Sequence, residues 1–342
     1  MSPSKRRRIV VEVRKDPLCA AMLDAMAEAC QHMGHCVVRW RGPLSGRMPY
    51  GRALPVCDLA ILFNAAHRTY RPVMARLQAW GVATLMVELG WHPQANRYQV
   101  DSRGVNASAS WAREPLEVEG NTPVQIRPRG DLLLLMQLDN DTQITEHSPW
   151  FASMEQLIRF VSGNSVLPVR VRAHPKSPHN KQLRQLAQEC GAHWDDSPSL
   201  EAALHSARAA ACVNSSAAVA ALDARLPVLC YGNAIYRHPG AVYCLDGNPA
   251  ATIAVTREIA NGSSSLSQEK MAALVERIVG RQWTTGEVAT RLPPLIADLL
   301  AATPQVSPKL TSSDRVEHSI YWLADLPAKL LYRRRLKSPR AA

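Results

Sequence analysis

Short apolar runs alternate with stretches of helical periodicity along most of this chain, and that alternation leaves few fold classes open. Leu132 to Gln137 (LLLLMQ) is the clearest run: too short for a buried helix and apolar throughout, it reads as a central strand covered on both faces. Ile9 to Val13, His35 to Trp40, Asp58 to Asn64 and Val82 to Leu89 read as strands before it. Leu167 to Arg172, Ala210 to Asn214 and Pro227 to Tyr231 read as strands after it. Helical spacing fills the gaps at about Pro17 to Met33, Arg71 to Trp80, Ser153 to Ser162, Asn180 to Cys190, Leu200 to Ser206 and Ser216 to Ala224, with further helices from about Pro249, Ser267 and Pro293. The prediction is an α/β protein of two Rossmann-like domains facing each other across a cleft.

Pro and Gly interrupt the pattern between Asn121 and Gly130, so the expected domains are residues 1–125 and 126–310, followed by a basic amphipathic tail over 311–342. The polar stretch from Trp91 to Ser110 shows no periodicity and reads as a functional loop.

The 342 residues carry a formal charge of +11, but Lys5, Arg6, Arg7 and Arg8 at the start and Lys329, Arg333, Arg334, Arg335, Lys337 and Arg340 near the end account for ten of it. The body over residues 9–327 is left at +1, which argues against a nucleic-acid-binding face. In the tail, Ile320, Tyr321, Trp322, Leu323, Leu330, Leu331 and Tyr332 adjoin the basic cluster, a pattern suited to an anionic membrane surface or to a last helix packed on the domains. No window reaches the ~18 uninterrupted apolar residues of a spanning helix, and the apolar run after the first arginines is too short for a signal sequence. The eight cysteines are scattered, with no CxxC pair and no zinc spacing, as expected of buried thiols in a reducing cytoplasm.

Ligands of open parallel sheets bind beyond the carboxyl ends of strands, which singles out Glu88 to His92, Gln137 to Asp141, Arg172 to Pro175, Asn214 to Ser216 and Tyr231 to Asn233. Gln137-Leu-Asp-Asn-Asp141 places carboxylates at a strand end, either as a nucleophile or base or as the residues of a turn and helix cap. Arg172-Ala-His174-Pro175 is either an anion site or a solvated basic strand end. Asn214-Ser215-Ser216 joins a strand to a helix and suits either a phosphate or an ordinary N-cap. No GxGxxG, Walker loop, HExxH or nucleophile elbow is present, so hydride transfer, P-loop chemistry and zinc proteolysis lose support.

The order of these elements carries more than any one of them. Glu88-Leu-Gly90 with Pro93, Asp101 and Gly104-Val-Asn106, then Gln137-x-x-x-Asp141-x-x-Ile144, Arg172-x-His174-Pro175, Asn214-Ser215-Ser216 and Pro227-Val-x-x-Tyr231-Gly232 resembles the capsule polysaccharide biosynthesis family over roughly residues 85–245. That family includes the retaining β-Kdo glycosyltransferases, which take 3-deoxy-D-manno-oct-2-ulosonic acid (Kdo) from CMP-Kdo. The resemblance implies a GT-B fold, with Asp141 as nucleophile and Gln137 orienting the sugar or the nucleophile. It implies further that His174 and Arg172 stabilise the departing phosphate, that Asn214, Ser215 and Ser216 bind the donor, and that Glu88 is the acceptor base or an acceptor-binding group, its bland alternative being a strand-end acid bonded to nearby backbone. Tyr236, with Arg237 and His238, is expected to close over the nucleotide or to lie in an exposed loop. Many relatives carry a glutamate where this chain has Val219, so ribose recognition comes from elsewhere or the donor differs.

The expected activity is thus a CMP-Kdo-dependent retaining transfer to a bacterial surface glycan or glycolipid, with no cofactor beyond the donor and no nucleic-acid partner. The expected location is cytoplasmic, at the inner membrane through the tail. The alternatives are a GT-B transferase using another nucleotide sugar, and a non-catalytic membrane-surface adaptor.

Overall fold

The computed structural model describes residues 6–43 and 54–302, which divide into two compact units. The first opens with β1 (Arg8–Glu12), α1 (Pro17–His32), β2 (Cys36–Trp40), β3 (Leu59–Phe63), α2 (Arg71–Ala79), β4 (Ala83–Leu89) and β5 (Tyr98–Asp101). Asp16 starts α1 by accepting the N–H groups of Leu18 and Cys19, and Pro17 fits the first turn, where no donor is needed. The strands lie in the order β2-β1-β3-β4-β5, parallel except for β5. Alternation along β1 sends Ile9 and Val11 to the face covered by Met22, Leu23 and Met26 of α1, and Val10 to the face covered by Tyr70, Val73 and Leu77. Both faces are thus covered, which is why Leu59 to Phe63 is buried at every residue.

The second unit contains β6 (Leu132–Leu135), α3 (Thr142–His147), α4 (Met154–Asn164), β7 (Val169–Arg172), α5 (Asn180–Glu189), β8 (His193–Trp194), α6 (Leu200–Ser206), β9 (Ala209–Cys212), α7 (Ala217–Asp223), β10 (Val228–Cys230), β11 (Tyr243–Cys244), α8 (Pro249–Ala260) and α9 (Gln268–Arg281). All its strands are parallel, in the order β8-β7-β6-β9-β10-β11. Counted along this unit the order is 3-2-1-4-5-6, the doubly wound arrangement of dinucleotide-binding folds, whereas the first unit has the related 2-1-3-4-5 order. Each sheet therefore has one reversal of strand order, between β1 and β3 in the first and between β6 and β9 in the second.

The last described helix, α10 (Val288–Ala302), returns to the first unit, where Val288, Leu292 and Ile296 join the core lined by α1. It was expected to start near Pro293. It begins five residues earlier because Thr284 and Glu287 form a reciprocal cap ahead of it, and Pro293 and Pro294 are carried inside the helix.

Three expectations change. The stretch from Trp91 to Ser110 is not one loop: Tyr98–Asp101 forms β5, antiparallel to β4 from Leu89↔Tyr98 to Met86↔Asp101. The compact units fall at residues 106–281 with 91–93 against the remainder, not at 1–125 and 126–310. Residues 106–125 side with the second unit because Trp111 packs edge-on against Trp91, Val124 donates its N–H to Leu266 O, and Arg277 donates to Glu114 O and Pro115 O. The basic tail over 311–342 lies outside the described residues.

Candidate functional site

The reversal of strand order between β6 and β9 is the place in the second unit where a ligand crevice is expected, and the residues leaving those strands are Gln137 and Asn214. Both are buried. Gln137 Nε2 donates to Asn214 Oδ1 at 2.8 Å, and Asn214 N donates to Gln137 Oε1 at 3.1 Å. Asn214 Nδ2 then reaches Gln143 O at 2.8 Å, Asn233 O at 3.2 Å and His147 O at 3.3 Å. Two residues expected to touch the donor or nucleophile are thus occupied by protein groups. What they hold is α3, and Asp141 is the N-cap of that helix.

Asp141 is exposed and accepts the Gln143 N–H at 2.9 Å. Capping engages one carboxylate oxygen, so the turn and nucleophile readings of this residue are compatible. His174 leaves the adjacent strand β7, whose Arg172 O accepts the Met136 N–H. Burial lowers the His174 pKa; Asp141 opposes that effect and Lys176 adds to it. The ring is therefore neutral near pH 7 and within electrostatic reach of the Asp141 carboxylate. Lys176 N donates to His174 Nδ1 at 3.1 Å, which assigns the ring proton to Nε2 and makes that nitrogen a donor.

Arg172 is less available to an anion than its sequence setting suggested. Its Nη1 pairs with Asp195 Oδ2 and donates to Ser197 O at 3.2 Å. Asp195 also takes Arg170, which in turn clasps Asp131 through Nε at 2.6 Å and Nη2 at 3.0 Å. Burial pushes the Asp195 carboxyl up, but hydrogen bonds from Ser197, Arg172 and Arg170 outweigh it and hold the group below the ordinary range. Nothing near Arg170 or Arg172 in sequence signalled Asp195, more than twenty residues away on the next loop.

Tyr236 is fully buried: its hydroxyl donates to Ser215 O at 2.8 Å and lies 3.2 Å from Cys212 Sγ, so it braces the Ser215 turn from below and does not close over a nucleotide. Arg237 donates through Nη1 to Cys230 O, Gly232 O and Leu245 O while lying over the Trp150 ring at 5.4 Å. His238 is buried too. Ser215 Oγ accepts the Ala217 N–H at 3.3 Å, and Ser216 is the N-cap of α7 without capping it through its side chain.

In the first unit, Glu88 is half-buried on β4, with Oε1 accepting the Leu89 N–H at 2.9 Å. Sequence reasoning missed Glu12, which ends β1 with no exposed surface. Its Oε2 accepts the Phe63 N–H at 2.9 Å, its Oε1 accepts the Tyr70 hydroxyl, and Arg14 Nη1 lies 3.5 Å away. Burial raises its pKa, with Tyr70, Arg14 and the Phe63 N–H opposing. The available signal was an acid inside an otherwise apolar strand run.

Among the described residues no group of three or more His, Cys, Asp or Glu side chains could hold a metal ion, and no helix is long and apolar enough to cross a membrane.

Comparison with known proteins bears out the resemblance read from the sequence. Residues 114–258 match the capsule polysaccharide biosynthesis protein family. The matched span contains Gln137, Asp141, His174 and Asn214 and starts beyond Glu88. No curated protein matches at the sequence level. Among solved structures, the β-Kdo 2,4 transferase of Thermosulfurimonas dismutans KpsC matches with a TM-score of 0.50 at 13% identity, covering 86% of this chain and 98% of that one. The β-Kdo 2,7 transferase of the same KpsC gives 0.44 at 15% identity, over 70% and 85% of the two chains. The calicheamicin glycosyltransferase CalG4 gives 0.38 at 12% identity, over 89% and 100%. The fold is the GT-B type, with two Rossmann-like domains.

Proposed function

We propose that this chain, which shares the capsule polysaccharide biosynthesis signature over residues 114–258, is a glycosyltransferase that moves Kdo from CMP-Kdo to a bacterial surface-glycan or glycolipid acceptor with retention of configuration. The observation that carries the reading is the pairing, beside the reversal of strand order in the second unit, of an exposed carboxylate, Asp141, with a neutral imidazole, His174, whose Nε2 is a donor.

In the first displacement an Asp141 carboxylate oxygen attacks the anomeric carbon, the bond from that carbon to the phosphate oxygen breaks, and CMP leaves with the electron pair. His174 Nε2–H donates to the departing phosphate, stabilising charge where it accumulates. In the second, an acceptor hydroxyl attacks the same carbon, Glu88 takes its proton, and Asp141 is released as carboxylate, in the logic of retaining glycosidases. Gln137 and Asn214 act by fixing the helix that Asp141 caps. Ser215 and Ser216 supply donors for the phosphate or the Kdo carboxylate, with Arg172 contributing at most part of its charge.

A different nucleotide sugar is the second reading, favoured by one observation. Val219, at the position where relatives often carry a ribose-binding acid, is fully buried, and its side chain has no polar group to offer a ribose. The basic tail suits attachment to an anionic membrane surface, where a lipid-linked acceptor would be met. Deleting residues 316–342 separates enzyme from adaptor: an enzyme keeps its activity on a soluble acceptor, and an adaptor loses its only function.

The direct test is intact-mass spectrometry after incubation with CMP-Kdo. A Kdo-sized increment mapped to Asp141 supports donor and mechanism together. No turnover with any acceptor, together with no CMP binding, rejects the proposal.

A further inference from the structure

Tyr236 is fully buried beneath the turn that follows β9, and no step of the proposed transfer uses its hydroxyl. A phenol has one hydrogen to donate, and here it goes to Ser215 O at 2.8 Å, since a carbonyl can only accept. The Cys212 thiol, 3.2 Å from the same hydroxyl, is therefore the donor to Tyr236. Burial pushes that thiol up to about 11, so it keeps its proton near pH 7. The bonds run in one direction, from Cys212 through Tyr236 to Ser215.

Ser215 O is used twice. Ala218 N donates to it at 3.1 Å as well, which engages both lone pairs and fixes the plane of the peptide that follows Ser215. The side chain is fixed in turn, because Ser215 Oγ accepts the Ala217 N–H at 3.3 Å. Among the described residues no acceptor takes the Ser215 hydroxyl hydrogen, although the residue is only 8% exposed. A buried hydroxyl in that state is completed by an acceptor brought from outside the chain.

Tyr236 reaches this turn from a loop that is itself tied down. Gly232 brings the chain so close to β9 that a Cβ there would meet Val213 Cγ1 at 2.6 Å, and Asn233 N donates to His147 O at 2.8 Å. Arg237 Nη1 closes the loop onto Cys230 O, Gly232 O and Leu245 O. The ends of β9, β10 and β11 thereby set one bearing for the Ser215 hydroxyl.

We propose that Tyr236 is a positioning residue for the donor: by pinning the Ser215 carbonyl it holds the Ser215 hydroxyl where its hydrogen meets an oxygen of the donor's phosphate, and so sets the preference for a nucleotide over the bare nucleoside. This inference rests on the reading that Ser215 serves the phosphate.

The test is isothermal titration calorimetry of the full chain with CMP and with cytidine. Wild type is expected to bind CMP more tightly than cytidine by about tenfold or more. Tyr236→Phe should weaken CMP by about tenfold, the worth of one hydrogen bond to a charged group, and leave cytidine unchanged. Ser215→Ala should do the same, and the double variant should lose no more than either single one. Cys212→Ala opens a gap in the same packing but keeps the bond from Tyr236 to Ser215, so its CMP affinity should stay within about twofold of wild type. Where Tyr236→Phe does not fold, Tyr236→Met removes the hydroxyl with a more adaptable side chain. The proposal is overturned if the variant at Tyr236 keeps the wild-type ratio of CMP to cytidine affinity, or if the double variant loses the product of the two single losses. An equal loss in Cys212→Ala assigns the effect to packing and overturns it too. If wild type binds CMP and cytidine alike, the phosphate reading of Ser215 is what fails, and this inference falls with it.

Discussion

Gln137 and Asn214 exchange two hydrogen bonds across the reversal of strand order in the second unit, side-chain amide to side-chain oxygen at 2.8 Å and backbone N–H to side-chain oxygen at 3.1 Å. Each residue completes the other, and the spare amide of Asn214 passes the restraint on to α3 and to the turn at Asn233. Residues that look like ligand contacts in sequence are here bonded to each other, to α3 and to the turn at Asn233.

Breaking this exchange should cost both stability and rate. Gln137→Leu leaves the Asn214 Oδ1 and N–H buried without partners, a loss of about 1–3 kcal/mol. Asn214→Ala should cost as much and also release α3. The double variant should lose less than the sum of the two, because both singles remove the same bonds. Urea unfolding of the cycle measures this; strict additivity would mean that the pair does not act as a unit.

Asp141→Asn separates capping from chemistry. Asparagine caps a helix about as well as aspartate, so the melting temperature should stay within a degree or two, whereas transfer should fall by at least a thousandfold if Asp141 is the nucleophile. Circular dichroism and a transfer assay with CMP-Kdo read the two effects separately. Retained transfer at near wild-type rate would exclude a covalent role.

Asp195→Ala should be among the more damaging changes in the second unit. It leaves Arg170 and Arg172 without their shared carboxylate, in a setting where breaking a buried pair costs about 3–5 kcal/mol. Chemical denaturation checks it, and a loss under about 1 kcal/mol would show that Arg172 is free to serve a ligand after all.

His238 gives a pH signature. Burial lowers its pKa, Arg277 lowers it further, and the Ala112 backbone opposes them; among the described residues its Nε2 has no partner. Near pH 7.5 the ring is neutral both folded and unfolded. As pH falls below about 6.5, the unfolded chain takes up a proton there that the folded one refuses, so wild type loses stability relative to His238→Phe. Between pH 7.5 and 5.5 the difference should move toward the variant by up to about 1.4 kcal/mol. Thermal unfolding of both proteins at the two pH values checks it, and a constant difference would mean that His238 protonates equally in both states.

The legible parts of the fold were those with one strong local cause. Four leucines at 132–135 can hardly be anything but a doubly covered strand, and Asp16-Pro17 announces a helix start. β5 was hidden because Tyr98-Gln99-Val100-Asp101 is a polar-looking segment whose strand identity comes from its ladder with β4, and a ladder partner leaves no mark on local composition. Among the candidate site residues, Asp141 is an exposed helix cap after β6 and His174 follows the neighbouring strand β7, as the strand runs in the sequence place them. Arg172 and Tyr236 were misplaced because the partners that engage them, Asp195 and Ser215, lie more than twenty residues away in sequence. Glu12 was overlooked since a single acid in a strand reads as an interruption until its three polar neighbours are in view.

The return of α10 to α1 sets an order on how the chain can mature during synthesis. The first unit draws its core from both ends of the described sequence, Met22 and Met26 at one end and Leu292 and Ile296 at the other. Residues 106–281 emerge from the ribosome before α10 does, so the second unit can close first, while the apolar face of α1, made earliest, waits longest for its cover. A ribosome stalled with α9 outside and α10 still inside its exit tunnel would hold a finished second half beside an unfinished first one, open to chaperones and proteases. The half translated first becomes the half completed last.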